Sequence, residues 1–520
     1  MTIQIIFEDD HFLAAVKPVG ISTHAVDAAH PGFVEALEEQ TGLKLGVHQR
    51  LDAGTSGVIV FSKSAQGAQR LGKAFELRNV KKTYRALVCG IPQEKEGEWS
   101  HKLLHKNGKT EENPDGKFAK SRYRVVRTVG PFALLELDLM TGLTHQLRVQ
   151  CALAGFPILG DALYGGGDLS PRLMLHAARL RLMSEPNLPT FHAPLPRELD
   201  RPNLEMILSL VLERACRRES FNDEEAIRLL VPQHSGLPEV IVEKLGPNLL
   251  VRHLEPLERT LWDEGSMRRL FEVGMRVACC SDCCYRVHEA PGKKHVCASL
   301  LRSFSGTPEP FEAVEKGVRY SFDLSGNASG LYLDQRDNRA WVREYAHGRV
   351  LNLFAYTCAF SVCAAFNKAV TDTTSVDAAP AALRRGRANF ELNGLTCEGH
   401  RFMNEDALKY LAKCAQNGTQ FDTVICDPPS FGRFGKVVFS LEDDLEKLLT
   451  ACLQVAAPKA TVLFSINHRK IRLSRLKNAL KSAAKACRMS MPEAEIFVND
   501  DALGPLGVGT DLKTIRFHLK

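Results

Sequence analysis

Residues 350–357 read VLNLFAYT, an apolar run that leads directly into a polar loop. Similar apolar runs follow at residues 373–376, 423–426 and 461–466, and helical stretches separate them. Regular alternation of strands and helices predicts a doubly wound, mostly parallel α/β sheet of the Rossmann-like type. Ligands of such sheets bind beyond the carboxyl ends of the strands, so functional residues are expected in the loops that follow these runs.

Those loops carry residues that suit a nucleotide cofactor. In and after the first strand, the candidates for cofactor contact are Asn352, Phe354, Tyr356 and Thr357. Asp377 ends the second strand, where a carboxylate can accept hydrogen bonds from both ribose hydroxyls of an adenosine. Asp406 is placed to meet the adenine edge, and Asp427 opens the sequence DPPSF at residues 427–431. An aspartate that ends a strand is usually a cap or turn residue, but the combined spacing fits a class I methyltransferase.

A segment upstream of these strands extends the pattern. Residues 330–339 read GLYLDQRDNR, and together with the strand that follows they resemble the large-subunit rRNA methyltransferases of the RlmI and RlmK type. The resemblance covers about residues 206–520 and implies S-adenosylmethionine as the cofactor. It also implies that Gln335 and Arg339 approach the methionine end of that cofactor.

One departure from this family concerns the first loop. Cys358 stands where relatives usually have glycine, a residue that lets the backbone approach a ligand closely. The substitution leaves an alternative open, in which residues 206–520 are a catalytically weak, methyltransferase-like module that only binds RNA.

The DPPSF loop indicates which atom receives the methyl group. Methylation of cytosine C5 requires a cysteine thiolate that first attacks C6, and the loops after Asp427 and after Ser465 contain no cysteine. The loop instead resembles those of nitrogen methyltransferases, which implies a catalytic role for Asp427 and base-binding roles for Pro428, Pro429 and Phe431. We therefore expect a purine nitrogen as the target, and cytosine C5 as the weaker alternative.

The N-terminal part of the chain has a different pattern. Short β-rich runs alternate with Gly and Pro turns, which predicts a mostly-β α+β domain over residues 1–195. Within it, residues 48–57 read HQRLDAGTSG, with Arg50 and Asp52 on either side of one leucine ahead of a polar turn. Taken alone, this aspartate could serve only to stabilise the turn.

Three more motifs complete a recognisable order: KPVG at residues 17–20, KKTYRALV at 81–88 and TGLTHQLR at 141–148. Together they resemble the pseudouridine synthases of the RluA type. The resemblance implies that Asp52 is the catalytic aspartate, that Arg148 pairs with it, and that Tyr84 stacks on the uracil. It also implies that Arg50 fills the gap left by a flipped uridine, and that this domain needs no cofactor or metal. Leu143 and Gln150 stand where relatives often have arginine and histidine.

The length and charge of the chain agree with this division. One hydrophobic core rarely serves more than about 250–300 residues, and this chain has 520. We expect a synthase domain at 1–195, a linker at 196–205, a small α+β RNA-binding or connecting domain at 206–325, and a methyltransferase domain at 326–520. Residues 102–127 and 469–488 each contain eight basic residues, against three and no acidic ones, which suits a phosphate backbone but also an ordinary solvated surface.

The expected partner is therefore structured RNA, most simply large-subunit rRNA, with tRNA as the alternative. No apolar run approaches the roughly 20 residues that span a bilayer, and no signal peptide is recognisable, so a cytoplasmic protein is expected. Cys280 and Cys283 have the spacing of a zinc ligand pair, and His295 and Cys297 follow, but a buried strand with reduced thiols is the simpler interpretation. The oligomeric state is left open.

Overall fold

The computed structural model describes residues 2–25, 31–218, 221–254, 260–288, 299–303, 309–325, 329–434, 437–468, 470–498 and 512–519. The chain divides into two units. The first comprises residues 1–218, 230–240 and 255–277, and the second comprises residues 219–229, 241–254 and 278–520. No helix in these described ranges is long and apolar enough to cross a membrane.

The first unit is built on one large sheet with helices beside it. Its strands are β1 Ile5–Glu8, β2 Phe12–Lys17, β3 Gly46–Val47, β4 Ser56–Ser62, β5 Val80–Cys89, β6 Glu96–Lys106, β7 Lys109–Glu112, β8 Lys117–Val129, β9 Phe132–Leu139, β10 Leu175–Leu182 and β11 Phe191–His192. Its helices are α1 Phe33–Thr41, α2 Ala65–Glu76, α3 Gln146–Leu153, α4 Arg197–Asp200, α5 Leu204–Arg218, α6 Pro232–Ser235 and α7 Glu264–Val277.

The strands of this sheet follow the order β1-β2-β4-β10-β5-β9-β8-β6-β7, and β3 and β11 pair with β4 and β10. Neighbours are antiparallel except for β4 and β10. Strand β4 is buried at every position, as its sequence SGVIVFS predicts for a central strand. The mostly-β α+β fold expected for the N-terminal part of the chain is confirmed.

The second unit contains a smaller sheet, two hairpins and a doubly wound sheet. Its strands are β12 Ala226–Leu230, β13 Val240–Leu245, β14 Asn248–His253, β15 Asp282–His288, β16 Ser299–Ser303, β17 Phe311–Glu315, β18 Val318–Phe322, β19 Gly348–Leu353, β20 Val370–Asp377, β21 Arg401–Asn404, β22 Phe421–Cys426, β23 Phe431–Phe434, β24 Val437–Ser440, β25 Ala456–Asn467, β26 Glu495–Val498 and β27 Leu512–His518. Its helices are a 3₁₀ turn Leu333–Gln335, α8 Arg336–Tyr345, α9 Ala359–Ala365, α10 Pro380–Leu392, α11 Ala407–Gln416, α12 Leu441–Gln454 and α13 Leu473–Ala486.

The doubly wound sheet has the order β21-β20-β19-β22-β25-β27-β26. Strands β21, β20, β19, β22 and β25 are parallel, and β27 and β26 run antiparallel at one edge. Because β19 and β22 are central neighbours, the loops after Leu353 and after Cys426 begin side by side. The Rossmann-like arrangement expected from residue 350 onward is confirmed.

The units do not follow the domain boundaries expected from the sequence. Residues 206–325 are shared, because α5 and α7 belong to the first unit and β12 and β18 to the second. Apolar packing explains the division. Tyr320 of β18 and Leu250 of β14 share one core with Phe390 of α10, which ties these strands to the doubly wound sheet.

The segment expected to be a linker is also folded. Residues 196–205 include helix α4 and the start of α5, and Leu199 of α4 is completely buried. A single buried leucine anchors the chain there, and Pro194, Pro196 and Pro202 flank the short helix.

Candidate active sites

The first unit contains a cavity of about 1360 Å³ that collects the predicted synthase residues. Arg50, Asp52, Tyr84 and Arg148 all line it, although they come from three separate stretches of sequence. Asp52 lies in the turn before β4, where its carbonyl accepts a hydrogen bond from the Thr55 N–H at 2.9 Å. Its Oδ2 is 3.5 Å from Nη1 of Arg148 and 3.8 Å from Nε2 of His145. The predicted pairing of Asp52 with Arg148 is therefore present.

A second aspartate holds this arginine in place. Arg148 of α3 donates through Nε and Nη2 to the two carboxylate oxygens of Asp161, at 2.7 and 2.8 Å. The Asp161 side chain is completely buried, and the Arg148 guanidinium also lies over the Tyr164 ring at 5.1 Å. A two-point contact of this kind fixes the plane of the guanidinium, so that Nη1 faces Asp52. The motifs in the sequence predicted no role for Asp161 or Tyr164.

The turn that carries Asp52 is supported by a buried lysine. Lys17 is fully buried, and its Nζ donates to the carbonyl oxygens of Pro18, Ile21 and Ala53, at 2.9, 2.6 and 3.3 Å. Burial lowers the pKa of Lys17 to about 8, although the nearby Asp52 carboxylate opposes the shift. The KPVG motif thus ties the backbone after Asp52 to the end of β2.

The other two predicted residues differ in exposure. Tyr84 of β5 is 8% exposed, and burial raises the pKa of its hydroxyl, with a further rise from the Asp52 charge. Its ring is therefore neutral and forms an apolar wall of the cavity. Arg50 is exposed, as a side chain that replaces a flipped base would need to be.

The two departures from the synthase pattern have different surroundings. Gln150 is completely buried and accepts a hydrogen bond from Ser121 Oγ at 2.8 Å, which makes it a structural residue. Leu143 lines the cavity and packs partly against an apolar cluster that includes Leu103 and Val149. Of the two substitutions, only the leucine faces the space that a substrate would enter.

The second unit has a cavity of about 480 Å³ at the carboxyl edge of the doubly wound sheet. Most of the residues predicted to bind cofactor or base line it: Gln335, Phe354, Tyr356, Asp377, Asp406, Asp427, Pro428 and Pro429. Its walls also include Tyr332, Asp334 and Phe439, for which the sequence suggested no role. The loops after β19, β20, β21 and β22 therefore converge as the strand order requires.

The loop after β19 has an unusual backbone. Phe354, Tyr356 and Cys358 have positive φ angles of 55°, 47° and 58°, a region that costs a residue with a side chain about 1–2 kcal/mol. The Tyr356 N–H donates to Oδ2 of Asp377 at 2.7 Å, and the Ala379 N–H donates to Oδ1 at 2.7 Å. Burial raises the pKa of Asp377, and these two backbone hydrogen bonds partly offset the rise. The aspartate therefore holds the strained loop as well as facing the cavity.

Three residues predicted to contact the cofactor lie elsewhere. Asn352 is buried within β19 and donates to Ser361 Oγ at 2.9 Å, and Thr357 donates to the Gly330 carbonyl at 2.6 Å. Arg339 is buried in a two-point ion pair with Glu315, at 2.7 and 2.6 Å, and also donates to the Tyr332 carbonyl at 2.9 Å. None of the three is among the described residues that line the cavity. The hydrogen bonds and the ion pair of these three side chains instead hold the segments that form the walls of the cavity.

Cys358 turns away from the cavity. Its side chain is fully buried, and its Sγ packs against Gly386 of α10, where any β-carbon would collide with it. The cysteine that replaces the usual glycine is thus accommodated by a second glycine, and it does not fill the cofactor space. The sequence could not reveal this pairing, because Cys358 immediately precedes α9 whereas Gly386 lies in α10, distant along the chain.

Asp427 ends β22 in a fixed hydrogen-bond chain. Its Oδ1 accepts from Ser465 Oγ at 2.8 Å, and that hydroxyl accepts from Gln335 Nε2 at 3.0 Å. Burial raises the pKa of Asp427 to about 7, against the Ser465 hydrogen bond, and the charge of Asp334 adds to the rise. The carboxyl group is therefore close to half-protonated at neutral pH.

Phe431 projects outward between two residues that line the cavity, Ser430 and Gly432, and is 66% exposed. An exposed aromatic ring next to a cavity is available for stacking on a base.

The described part of the cysteine cluster does not form a metal site. Cys283 and Cys284 are buried in β15, and no group of three metal-binding side chains occurs in the described ranges. His295 and Cys297 lie outside those ranges.

Comparisons with known proteins identify both regions. Residues 11–153 match the family model for RNA pseudouridylate synthase. An RNA pseudouridine synthase of Chlorobaculum parvum is 32% identical over 238 residues, which cover 38% of this chain and 72% of that protein.

The chain belongs to the RNA pseudouridylate synthase family.

The C-terminal part of the chain matches the model of a different family. Residues 267–493 match the family model for S-adenosylmethionine-dependent methyltransferase. The ribosomal RNA large subunit methyltransferase K of Neisseria meningitidis serogroup B is 33% identical over 189 residues, which cover 36% of this chain and 53% of that protein. Both family resemblances expected from the sequence are confirmed. The chain spans about half the length of the methyltransferase relatives it matches.

A solved structure supports the fold of this region. A protein from Streptococcus mutans, classed as an S-adenosylmethionine-dependent methyltransferase, has a TM-score of 0.50 and 22% identity, with 63% of this chain and 83% of that chain covered. At this identity the likeness shows the fold alone.

The buried Arg148–Asp161 pair gives the first testable prediction. Asp161→Asn should lower the unfolding free energy of the first unit by about 3–5 kcal/mol, because it leaves Arg148 without its buried countercharge. Synthase turnover should also fall about 10- to 100-fold with little change in KM, since the guanidinium loses its fixed orientation. The measurements are denaturant unfolding and pseudouridine formation. Asp138→Asn is the control, because it weakens a partly exposed ion pair with Lys81 and leaves Oδ1 to accept from Thr83 Oγ1; equal effects of the two variants would contradict the prediction.

The packing of Cys358 against Gly386 gives the second testable prediction. Gly386→Ala should destabilise the second unit by about 1–3 kcal/mol through overpacking, as measured by thermal unfolding. The added Cys358→Gly change should restore most of the loss, because it removes the atoms that collide. Additive effects in the double variant would show that the two positions do not share this contact.

The raised pKa of Asp427 gives the third testable prediction. An unfolded aspartate releases its proton near its usual pKa of 3.8, whereas folded Asp427 keeps it until about pH 7. The folded state therefore binds more protons between these values, and this group's contribution to stability is lost as pH rises through that window. The side chain of Asp427→Asn cannot ionise. The melting temperature of this variant, relative to that of the parent protein, should therefore rise from pH 5 to pH 8. Exposed Asp443→Asn should show no such gain, and a pH-independent difference for Asp427→Asn would refute the assignment.

Proposed function

We propose that this chain is a bifunctional RNA-modifying enzyme. The first unit isomerises uridine to pseudouridine, and the second methylates a base, a purine nitrogen, using S-adenosylmethionine. The substrate is structured RNA, most simply large-subunit rRNA. The observation that carries the proposal is the convergence of Asp52, Tyr84 and Arg148 in one cavity, with a cofactor-sized cavity at the carboxyl edge of the other unit's sheet. The buried Asp161 holds Arg148 from behind.

The synthase step depends on an ionised Asp52. The Arg148 guanidinium lies 3.5 Å away and can donate a hydrogen bond to that carboxylate. The carboxylate either attacks the ribose C1′ or removes the 2′ proton, so that the bond between N1 and C1′ breaks. The uracil then turns and C5 bonds to C1′; the carboxylate leaves C1′ in the first route, or returns the proton to C2′ in the second, and N1 takes up a proton as C5 loses one. Tyr84 supplies the apolar face on which the base turns, and Arg50 occupies the space that the flipped uridine leaves.

The methyltransferase step needs a bound cofactor and a positioned base. S-adenosylmethionine supplies the methyl group when it is bound. Asp377 would accept the ribose hydroxyls, and Asp406 lies where the adenine edge would come. Asp427 and the carbonyl of Pro428 would accept hydrogen bonds from the base, Pro429 would contact it, and the exposed Phe431 ring would stack on it.

A nitrogen target is supported by the surroundings of Cys426. This cysteine, the residue before Asp427, is completely buried in β22, and burial raises the pKa of its thiol. A thiol that is neutral and turned into the sheet cannot act as the nucleophile that C5 methylation of cytosine requires.

Two observations support RNA as the partner: the names of the methyltransferase relatives, and the residues that line the cavity of the first unit. The methyltransferase relatives carry names that refer to large-subunit ribosomal RNA. In the first unit, Lys117 and Phe118 of β8 line the cavity, and Phe118 is 61% exposed, a combination suited to a phosphate and a neighbouring base. We propose that the enzyme acts in the cytoplasm, where ribosome assembly provides such a substrate, and tRNA is the alternative for the synthase unit.

The proposal is tested by separating the two activities. In large-subunit rRNA from cells that lack this protein, one pseudouridine and one methylated purine should be missing, as read by mass spectrometry of nucleosides. The purified parent protein should restore both. Asp52→Asn should lower pseudouridine formation by more than about 10³-fold and leave methylation intact, and Asp427→Ala should do the reverse.

Exposed Asp115→Asn and Asp443→Asn serve as matched controls, because each removes an aspartate away from the two cavities. Restoration of both modifications in tRNA rather than rRNA would reassign the substrate. Pseudouridine without any methyl transfer, together with no binding of S-adenosylmethionine, would favour the alternative in which the second unit only binds RNA.

A further inference from the structure

Asp334 is a cavity residue with an unused hydrogen-bond acceptor. It lies in the 3₁₀ turn Leu333–Gln335 and lines the cavity of the second unit. Its Oδ2 accepts a long hydrogen bond from Asn467 Nδ2 at 3.4 Å. Its Oδ1 is buried, and the part of the chain that the structure describes offers it no donor. Burying a carboxylate oxygen without a hydrogen-bond donor is unfavourable, so a bound ligand is the natural source of that donor.

A second carboxyl group lies at the same end of the cavity. Asp427 also lines the cavity, and Gln335, the residue after Asp334, is linked to it through the Ser465 hydroxyl. Gln335 and Ser465 hold Asp427 from behind through the hydrogen-bond chain at 3.0 and 2.8 Å. This end of the cavity therefore holds two carboxyl groups, and Arg339, whose charge lowers the pKa of Asp427, is already paired with Glu315.

The chemistry of this end matches a small cation that donates hydrogen bonds. At the far end, Asp377 already accepts two backbone N–H groups and Asp406 caps α11, so those carboxylates are partly satisfied. Of the groups on S-adenosylmethionine, the α-ammonium of the methionine part is the one with N–H donors and a positive charge. A charge-assisted hydrogen bond to a buried carboxylate is among the stronger polar contacts in proteins.

We propose that Asp334 binds the α-ammonium group of S-adenosylmethionine, and that the Asp334–Asp427 pair makes this end of the cavity specific for the amino-acid part of the cofactor. The inference rests on the proposed methyltransferase function and extends it to a residue that the sequence did not single out. Asp334 is thus a cofactor-binding residue, and its position is set by the helix that Arg339 and Glu315 anchor.

The test compares two ligands that differ only at this end. S-adenosylhomocysteine carries the amino-acid part, whereas 5′-methylthioadenosine keeps the adenosine and the thioether but lacks the ammonium and carboxylate. Each is titrated calorimetrically into the full-length protein and into Asp334→Asn. The variant should bind S-adenosylhomocysteine about 10- to 100-fold more weakly, the loss expected for one charge-assisted hydrogen bond, with unchanged affinity for 5′-methylthioadenosine.

Asp337→Asn is the matched control. Asp337 lies three positions further on, is exposed and pairs with Lys316 at 3.0 Å, so the variant removes a neighbouring negative charge outside the cavity. It should leave both affinities unchanged. Asp334→Ala, with its fold checked by circular dichroism, repeats the measurement without an amide that could form new hydrogen bonds.

Each contrary outcome has a distinct meaning. Unchanged binding of S-adenosylhomocysteine by Asp334→Asn and Asp334→Ala, or an equal loss of both ligands, would overturn the assignment of Asp334 but leave the methyltransferase proposal standing. An equal loss in Asp337→Asn would reduce the effect to general charge and also overturn the assignment. If the parent protein bound neither ligand and no S-adenosylmethionine, both proposals would fall.

Discussion

A buried carboxylate must have hydrogen-bond donors or keep its proton, and both cavities are organised around this constraint. In the first unit, the completely buried Asp161 is satisfied by Arg148, and this pairing directs the remaining N–H of the guanidinium toward Asp52. In the second unit, Asp377 is satisfied by two backbone N–H groups. The same requirement that stabilises each carboxylate therefore also shapes the cavity beside it.

The two units meet the constraint in different ways because their sheets differ. A mostly antiparallel sheet has no single edge at which all strands end, so the first cavity is assembled from turns, a strand face and helix α3. The parallel strands of the second unit deliver their loops to one edge, and its cavity is built almost entirely from those loops. Strain in the loop after β19 is the cost of that arrangement, and Asp377 offsets part of it.

Residues outside the cavities act through the ones inside. Arg339 and Glu315 fix the helix behind Gln335, Lys17 fixes the backbone after Asp52, and Gly386 leaves space for the Cys358 side chain. Such residues are neither catalytic nor exposed, yet each one determines where a functional group lies. Gly386 in particular explains why the cysteine at position 358, where relatives usually have glycine, does not close the cofactor space.

The sequence by itself determined the two fold classes, the two family resemblances and several of the residues that line each cavity, because ordered motifs and strand periodicity are local properties of the chain. It did not reveal Asp161 as the partner of Arg148, Gly386 as the partner of Cys358, or the sharing of residues 206–325 between the units. It also assigned Asn352, Thr357 and Arg339 to a cofactor that their side chains do not face. Those facts depend on which distant segments pack together and which way each side chain points, and only the tertiary structure decides that.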